Sequence, residues 1–203
     1  MTNEIPNLPS KFLPLWKKVL PLLKKGRPDD VNHAKEVVSL VLSYQNKIDF
    51  DLDVLIPVAM MHDIGHSAIL PEHFKYVAGQ EKIKNSKLVH MLAGAKIAND
   101  ILTKLNYDKE KTKEIVDIIS IHDADQLEGT DLNKVYNTQN KKIFHDMDAM
   151  DRYNERRLRE VAERNPNKQK LIEEMEGLMK NIILPEFKAL AKEGMDNLKK
   201  ILS

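Results

Sequence analysis

The chain has 203 residues, which is enough for one domain with a substantial core. Its 32 basic and 31 acidic side chains nearly cancel, so the net charge indicates neither a nucleic acid nor a membrane as partner. Cysteine is absent, which excludes disulfides and thiolate metal ligands and leaves imidazole and carboxylate groups as the donors for any metal ion.

Apolar residues recur at helical spacing along the chain, glycine is scarce, and no segment alternates like a strand. Pro14 and Pro21 are expected to break or kink the first helix, and Asn165–Pro166 separates the last two. We therefore predict an all-α fold, a helical bundle that forms a single domain over residues 1–203. The predicted helices cover approximately residues 10–25, 27–47, 51–65, 85–105, 108–123, 140–164 and 167–202.

Neither end of the sequence suggests a membrane protein. The N-terminal "MTNEIPNLPSKF" lacks the basic region and apolar run of a signal peptide, and no apolar stretch is long enough to span a bilayer. We expect a cytoplasmic protein.

The C-terminal helical extension, 167–202, is charged and amphipathic, so we expect it to pack on its own bundle, with a homodimer as the second expectation.

Histidine and aspartate recur at intervals of about 30 residues, roughly one helix and one connection. Each helix would thus supply one donor, and all could face a common interior point, as in metal sites within helical bundles. Taken singly, each histidine is more often a core or surface residue, and Asp63 could simply orient His62 or cap a helix. The residues in this series are His33, His62, Asp63, His90, His122 and Asp148.

This ordered pattern resembles the HD-domain metal-dependent phosphohydrolase superfamily over about residues 27–155. The dyad His62–Asp63 in "MMHDIGH" is the most specific local match. The other matches are "NHAKEVV", "HMLAGAKIA", "IISIHDAD" and "FHDMDAMDRY". The resemblance implies an HD-domain-like helical bundle with a metal site in its interior, and a metal-activated water as nucleophile in place of a serine or cysteine.

The resemblance also implies how the donors are shared. Asp63 would bridge two ions and is the predicted catalytic residue. Asp146 remains an alternative to Asp148, because the two registers are hard to separate by sequence. The first ion would be held by His33, His62, Asp63 and Asp148, and the second by His90, His122 and Asp63. The ions would be divalent transition metals, namely Mn, Fe, Co, Ni or Zn.

Three histidines lie outside this set. His66 is close to the dyad and is expected to contact the metal ligands without binding the ion itself. His73 and His145 are expected to be solvated or to have local hydrogen-bond partners.

The implied activity is hydrolysis of a nucleotide or other small phosphoester. The predicted phosphate-binding cations are Arg27, Arg152 and Lys142; Arg152 would lie one helical turn after Asp148. The Gly-Tyr-Pro signature of the cyclic-di-GMP-degrading branch does not follow His122, which argues against that substrate. Two alternatives stay open: a di-iron oxygenase on the same scaffold, and a ligand-sensing HD module without turnover.

Overall fold

A computed structural model of the protein describes residues 4–70 and 79–202. Within these ranges the chain is helical and contains no strand, which confirms the all-α prediction. No helix in the described part is long and apolar enough to cross a membrane. The helices are α1 (Leu13–Leu23), α2 (Asp30–Tyr44), α3 (Leu52–Met61), α4 (Gly79–Lys104), α5 (Lys109–Ile121), α6 (Leu132–Val135), α7 (Gln139–Met150), α8 (Glu155–Arg164), α9 (Lys168–Met179) and α10 (Pro185–Leu202).

The chain divides into two compact units, Met1–Val135 and Tyr136–Ser203. The first unit contains α1 to α6, and the second contains α7 to α10. That one domain spans residues 1–203 remains a prediction.

Helix α3 forms the centre of the first unit because every residue from Val54 to Met61 is buried. Asp51 begins the helix by accepting a hydrogen bond from the backbone N–H of Asp53. Pro57 lies inside the helix and has no N–H to donate to the carbonyl of Asp53. The hydroxyl of Tyr107 donates to that carbonyl instead, at 2.7 Å, so the proline is tolerated in a buried helix.

Both prolines of the first helix lie within it. Helix α1 begins just before Pro14 and continues through Pro21, so neither residue breaks it. Pro14 lies in the first turn, where a missing N–H leaves no hydrogen bond unmade.

In the second unit, the predicted long helix over 140–164 is wrong. Helix α7 ends at Met150, residues Asp151–Tyr153 form a 3-10 turn, and α8 begins at Glu155. Asn154 caps α8 by accepting from the backbone N–H of Arg157. Gly194 of α10 packs so closely on this turn that a Cβ there would lie 2.7 Å from the Cβ and carbonyl oxygen of Tyr153.

The C-terminal extension is also two helices, with a break at residues 180–184 between α9 and α10. Pro185 begins α10, at the position where a helix most readily accepts proline. The connection is held by Asp146, whose carboxylate accepts from the backbone N–H groups of Ile183 and Leu184 at 2.6 to 3.1 Å.

Candidate metal centre

The carboxylate of Asp63 lies at the centre of the buried polar cluster in the first unit. His62 is the C-terminal cap of α3, and Asp63 follows it as the chain enters a 3-10 turn, Ile64–Ala68. Both side chains are buried. The helix end therefore presents two adjacent polar groups in the interior, where they need compensating partners.

The two oxygens of Asp63 face different sets of imidazoles. Oδ2 lies 3.4 Å from Nε2 of His62 and 3.7 Å from Nε2 of His33. Oδ1 lies 3.7 Å from Nε2 of His122 and 4.0 Å from Nε2 of His90. One carboxylate is thus shared between two histidine pairs.

The imidazoles within each pair face one another through Nε2. The Nε2 atoms of His33 and His62 are 2.9 Å apart, and those of His90 and His122 are 3.2 Å apart. Two imidazole nitrogens that bind one ion at about 2.1 Å lie about 3.0–3.4 Å apart, for bond angles between about 90° and 109°. The 3.2 Å separation of His90 and His122 lies within this range, and the 2.9 Å separation of His33 and His62 lies just below it.

The hydrogen bonds of the other ring nitrogens fix which nitrogen carries the proton in His90 and His122. Nδ1 of His90 faces the carbonyl of Ser86 at 3.3 Å, and Nδ1 of His122 faces the carbonyl of Ile119 at 2.8 Å. Because a carbonyl only accepts, each Nδ1 must donate, and each neutral ring then directs an Nε2 lone pair at the other. Two facing lone pairs beside a carboxylate form a donor set that suits a cation.

The electrostatics of the cluster favour neutral imidazole at His90. Burial lowers the pKa of His90 to about 3, and the neighbouring rings of His122 and His66 act in the same direction. Burial alone would raise the pKa of Asp63, but the neighbouring imidazoles of His62, His122 and His66 lower it well below its usual range. The site thus combines an ionised carboxylate with a neutral imidazole, the protonation states that metal binding needs.

Gly65 explains how the dyad is brought against α4. A Cβ at Gly65 would lie 1.8 Å from the carbonyl oxygen of His90 and 2.7 Å from the backbone nitrogen of Gly94. Only glycine allows the 3-10 turn to pack directly on the helix backbone at this point. The close approach sets the distance between Asp63 and His90.

Arg27, one of the predicted phosphate-binding residues, contacts the cluster directly. Its guanidinium forms an ion pair with Oδ2 of Asp63, and its Nε donates to Oδ1 of Asp30 at 2.7 Å. The pKa of Arg27 is raised: burial opposes the shift, and the Asp63 and Asp30 carboxylates outweigh it. About half of the side chain is exposed (53%), so Arg27 connects the buried carboxylate to the surface.

The remaining predicted site residues belong to the second unit. Asp148 is buried on α7, Lys142 is half-buried on the same helix, and Arg152 is half-buried in the turn that follows. Arg152 lies in the 3-10 turn that directly follows the α-helix of Asp148, and its phosphate-binding role remains a prediction.

Asp146 is fully buried and its two oxygens are engaged within the second unit. They accept from Ile183, Leu184 and Nδ1 of His145, the last at 2.8 Å. These contacts favour Asp148 over Asp146 as the ligand. They also give His145 a local partner, as expected, while His73 lies outside the described residues.

Sequence reasoning missed two residues near the second histidine pair. Asp123 lies 3.4 Å from Nε2 of His90, and Lys87 pairs with Asp123 at 3.1 Å. Asp123 directly follows His122, and Lys87 precedes His90 by one helical turn, so both could have been found from their spacing. His66 was expected behind the dyad; its Nε2 lies 3.3 Å from Asp63, and its ring stacks on His90.

Comparison with known proteins adds one finding. A family model described as "HD domain" matches residues 30–153, which is more than half of the chain. No curated protein and no solved structure matches the chain significantly.

Proposed function

Because the chain belongs to the HD domain family, within the superfamily of metal-dependent phosphohydrolases, we propose that it hydrolyses a nucleotide or another small phosphoester. The observation that carries this proposal is the shared carboxylate of Asp63 between two pairs of imidazoles. Hydrolysis of this kind needs no serine or cysteine nucleophile.

The donor set suits two divalent transition ions. His33, His62, Asp63 and Asp148 would hold the first, and His90 and His122 would hold the second with Asp63 as the bridge. Asp148 enters this set from the sequence pattern. When bound, such ions polarise a phosphoester and lower the pKa of coordinated water. Imidazole and carboxylate suit Mn, Fe, Co, Ni and Zn alike.

The protein's own side chains would orient the substrate. Asp30 holds Arg27 through two contacts of 2.7 Å, one from Nε and one from the backbone N–H. This fixes a planar, permanently charged donor at the exposed edge of Asp63, where it can bind two phosphate oxygens at once. Arg152 and Lys142 remain the predicted phosphate contacts from the second unit.

The test is a screen for phosphate release. Purified protein, loaded separately with Mn²⁺, Fe²⁺, Co²⁺, Ni²⁺ or Zn²⁺, is incubated with a panel of nucleotides and small phosphorylated metabolites. We expect release with at least one combination, abolished by Asp63→Asn. Arg27→Met should raise KM, whereas Lys25→Met, which removes an exposed cation nearby, should not.

The screen also separates the two alternative functions. An oxygenase would consume dioxygen, require iron and lose its activity under anaerobic conditions. A sensing module would bind phosphorylated ligands, as detected by a rise in melting temperature, and release no phosphate. Either result would overturn the proposed hydrolase activity.

A further inference from the structure

A second His–Asp pair in the first unit repeats the local structure of the first. His122 caps the C-terminus of α5 and Asp123 follows it into a 3-10 turn, as His62 and Asp63 do at the end of α3. Asp63 has φ −95° and ψ 0°, and Asp123 has φ −101° and ψ 16°. In both pairs, Nδ1 of the histidine faces the carbonyl three residues earlier. The same backbone therefore directs both carboxylates beside their histidines.

We propose that Asp123 is a direct ligand of the second metal ion, an inference that rests on the binuclear site proposed above. The donor atoms of His90, His122 and Asp123 all lie within 4.8 Å of one another. Oδ2 of Asp123 is 3.4 Å from Nε2 of His90, whereas Oδ1 of Asp63 is 4.0 Å away. The shorter distance is within the range of about 3.0–3.4 Å expected for two donors on one ion.

The surroundings of Asp123 are compatible with this role. Its side chain is only 14% exposed, and Lys87 compensates its charge through a contact of 3.1 Å to Oδ2. Gln126 donates to the other oxygen. A carboxylate oxygen has two lone pairs, so Oδ2 can bind an ion and keep Lys87 as a partner.

The second ion would then have two imidazoles and two carboxylates as protein ligands. A second carboxylate lowers the net positive charge around a divalent cation, which favours its retention in a buried site. Asp123 thereby gives the second ion one carboxylate of its own, beside the carboxylate that it shares with the first.

The test is a titration of metal-free protein with Co²⁺. Bound equivalents are counted by elemental analysis, dissociation constants come from competition with a chromophoric chelator, and visible absorption reports the coordination of the ion. Three variants are compared with the unaltered chain: Asp123→Ala, Lys87→Met and Asp125→Ala. Asp125 lies two residues further in the same turn and serves as the matched control for loss of a carboxylate.

We expect Asp123→Ala to weaken the second equivalent by more than about 100-fold, beyond the 10–100-fold typical of residues that only support a ligand. The visible absorption of the Co²⁺ bound to this variant should change, while the first equivalent stays bound. Lys87→Met should change the second dissociation constant by less than about 10-fold, and Asp125→Ala should leave it unaltered.

Three outcomes would overturn the inference. The second Co²⁺ ion could bind Asp123→Ala as tightly as it binds the unaltered chain, Lys87→Met could weaken its binding as much as Asp123→Ala does, or the unaltered chain could bind a single equivalent. The second outcome would mean that Asp123 acts only through Lys87. Failure of the proposed hydrolase activity looks different. Two equivalents that depend on Asp123, with no phosphate release in the screen, would leave the metal ligand standing and reject the activity.

Discussion

Replacing Gly65 by alanine should force apart the two segments that carry Asp63 and His90. The new Cβ would lie 1.8 Å from the carbonyl oxygen of His90, and real Cβ contacts are essentially never shorter than 3.0 Å. The 3-10 turn and α4 must therefore separate by about 1.2 Å or more, because both sides of the contact are close-packed backbone.

Overpacking of this kind costs about 1–3 kcal/mol, and we expect the upper end because no flexible side chain can move aside. A loss of about 3 kcal/mol lowers the melting temperature of a chain of this size by about 6–12 °C. The separation between Asp63 and His90 should also increase, and the second metal equivalent should bind at least about 10-fold more weakly.

The assay is thermal unfolding of the metal-free protein by circular dichroism, followed by the Co²⁺ titration. Two matched controls receive the same added methyl group. A Cβ at Gly94, across the same contact, meets its nearest atoms at 3.3 and 3.4 Å, so Gly94→Ala should be tolerated with small adjustments. Gly177 on α9 has nothing within 4 Å, and its replacement should stabilise the helix by up to about 1 kcal/mol. If Gly65→Ala matched Gly94→Ala in melting temperature and metal affinity, the reasoning would be refuted.

Chelation should lower the melting temperature, and added metal should restore it. A metal concentration of a thousand times the dissociation constant should raise the free energy of unfolding by about 4 kcal/mol. Asp63→Ala should abolish this response, and a melting curve that chelator does not change would contradict the metal centre. Asp146→Asn should lower the free energy of unfolding by at least about 2 kcal/mol, because in either orientation of the amide its NH₂ group would face a buried N–H donor. This variant should still bind the metal, whereas Asp148→Ala should lose it. Loss of metal in Asp146→Asn alone would reverse that assignment. The pKa of His90 is lowered to about 3 in the folded protein. As the pH falls below about 6.5, the unfolded chain therefore takes up a proton at His90 that the folded chain does not, and the metal-free protein should lose stability. His90→Gln should reduce that slope by up to about 1.4 kcal/mol per pH unit, measured by urea unfolding between pH 4 and 6, and an unchanged slope would count against a neutral, buried His90.

The sequence alone determined the helical class and suggested most of the residues that we propose as metal ligands. Helical periodicity and caps such as Asp51 and Asp108 are local properties of the chain, so they can be interpreted without a structure. The His62–Asp63 dyad and the regular spacing of the other histidines were equally accessible. The same local signals failed at residues 151–154 and 180–184. There the helices end where Tyr153 meets Gly194 and where Asp146 binds two backbone amides, contacts made by residues distant in sequence.

Only the tertiary structure decided how the donors are distributed around Asp63. The division of its oxygens between two histidine pairs depends on the packing of α2, α3, α4 and α5, and on the absence of a side chain at Gly65. The position of Asp123 next to His122 is evident in the sequence, but its distance of 3.4 Å from Nε2 of His90 on α4 is a result of packing. Residue type and spacing specify which groups can bind a metal ion, but distances between groups on different helices arise from packing, which no local pattern encodes.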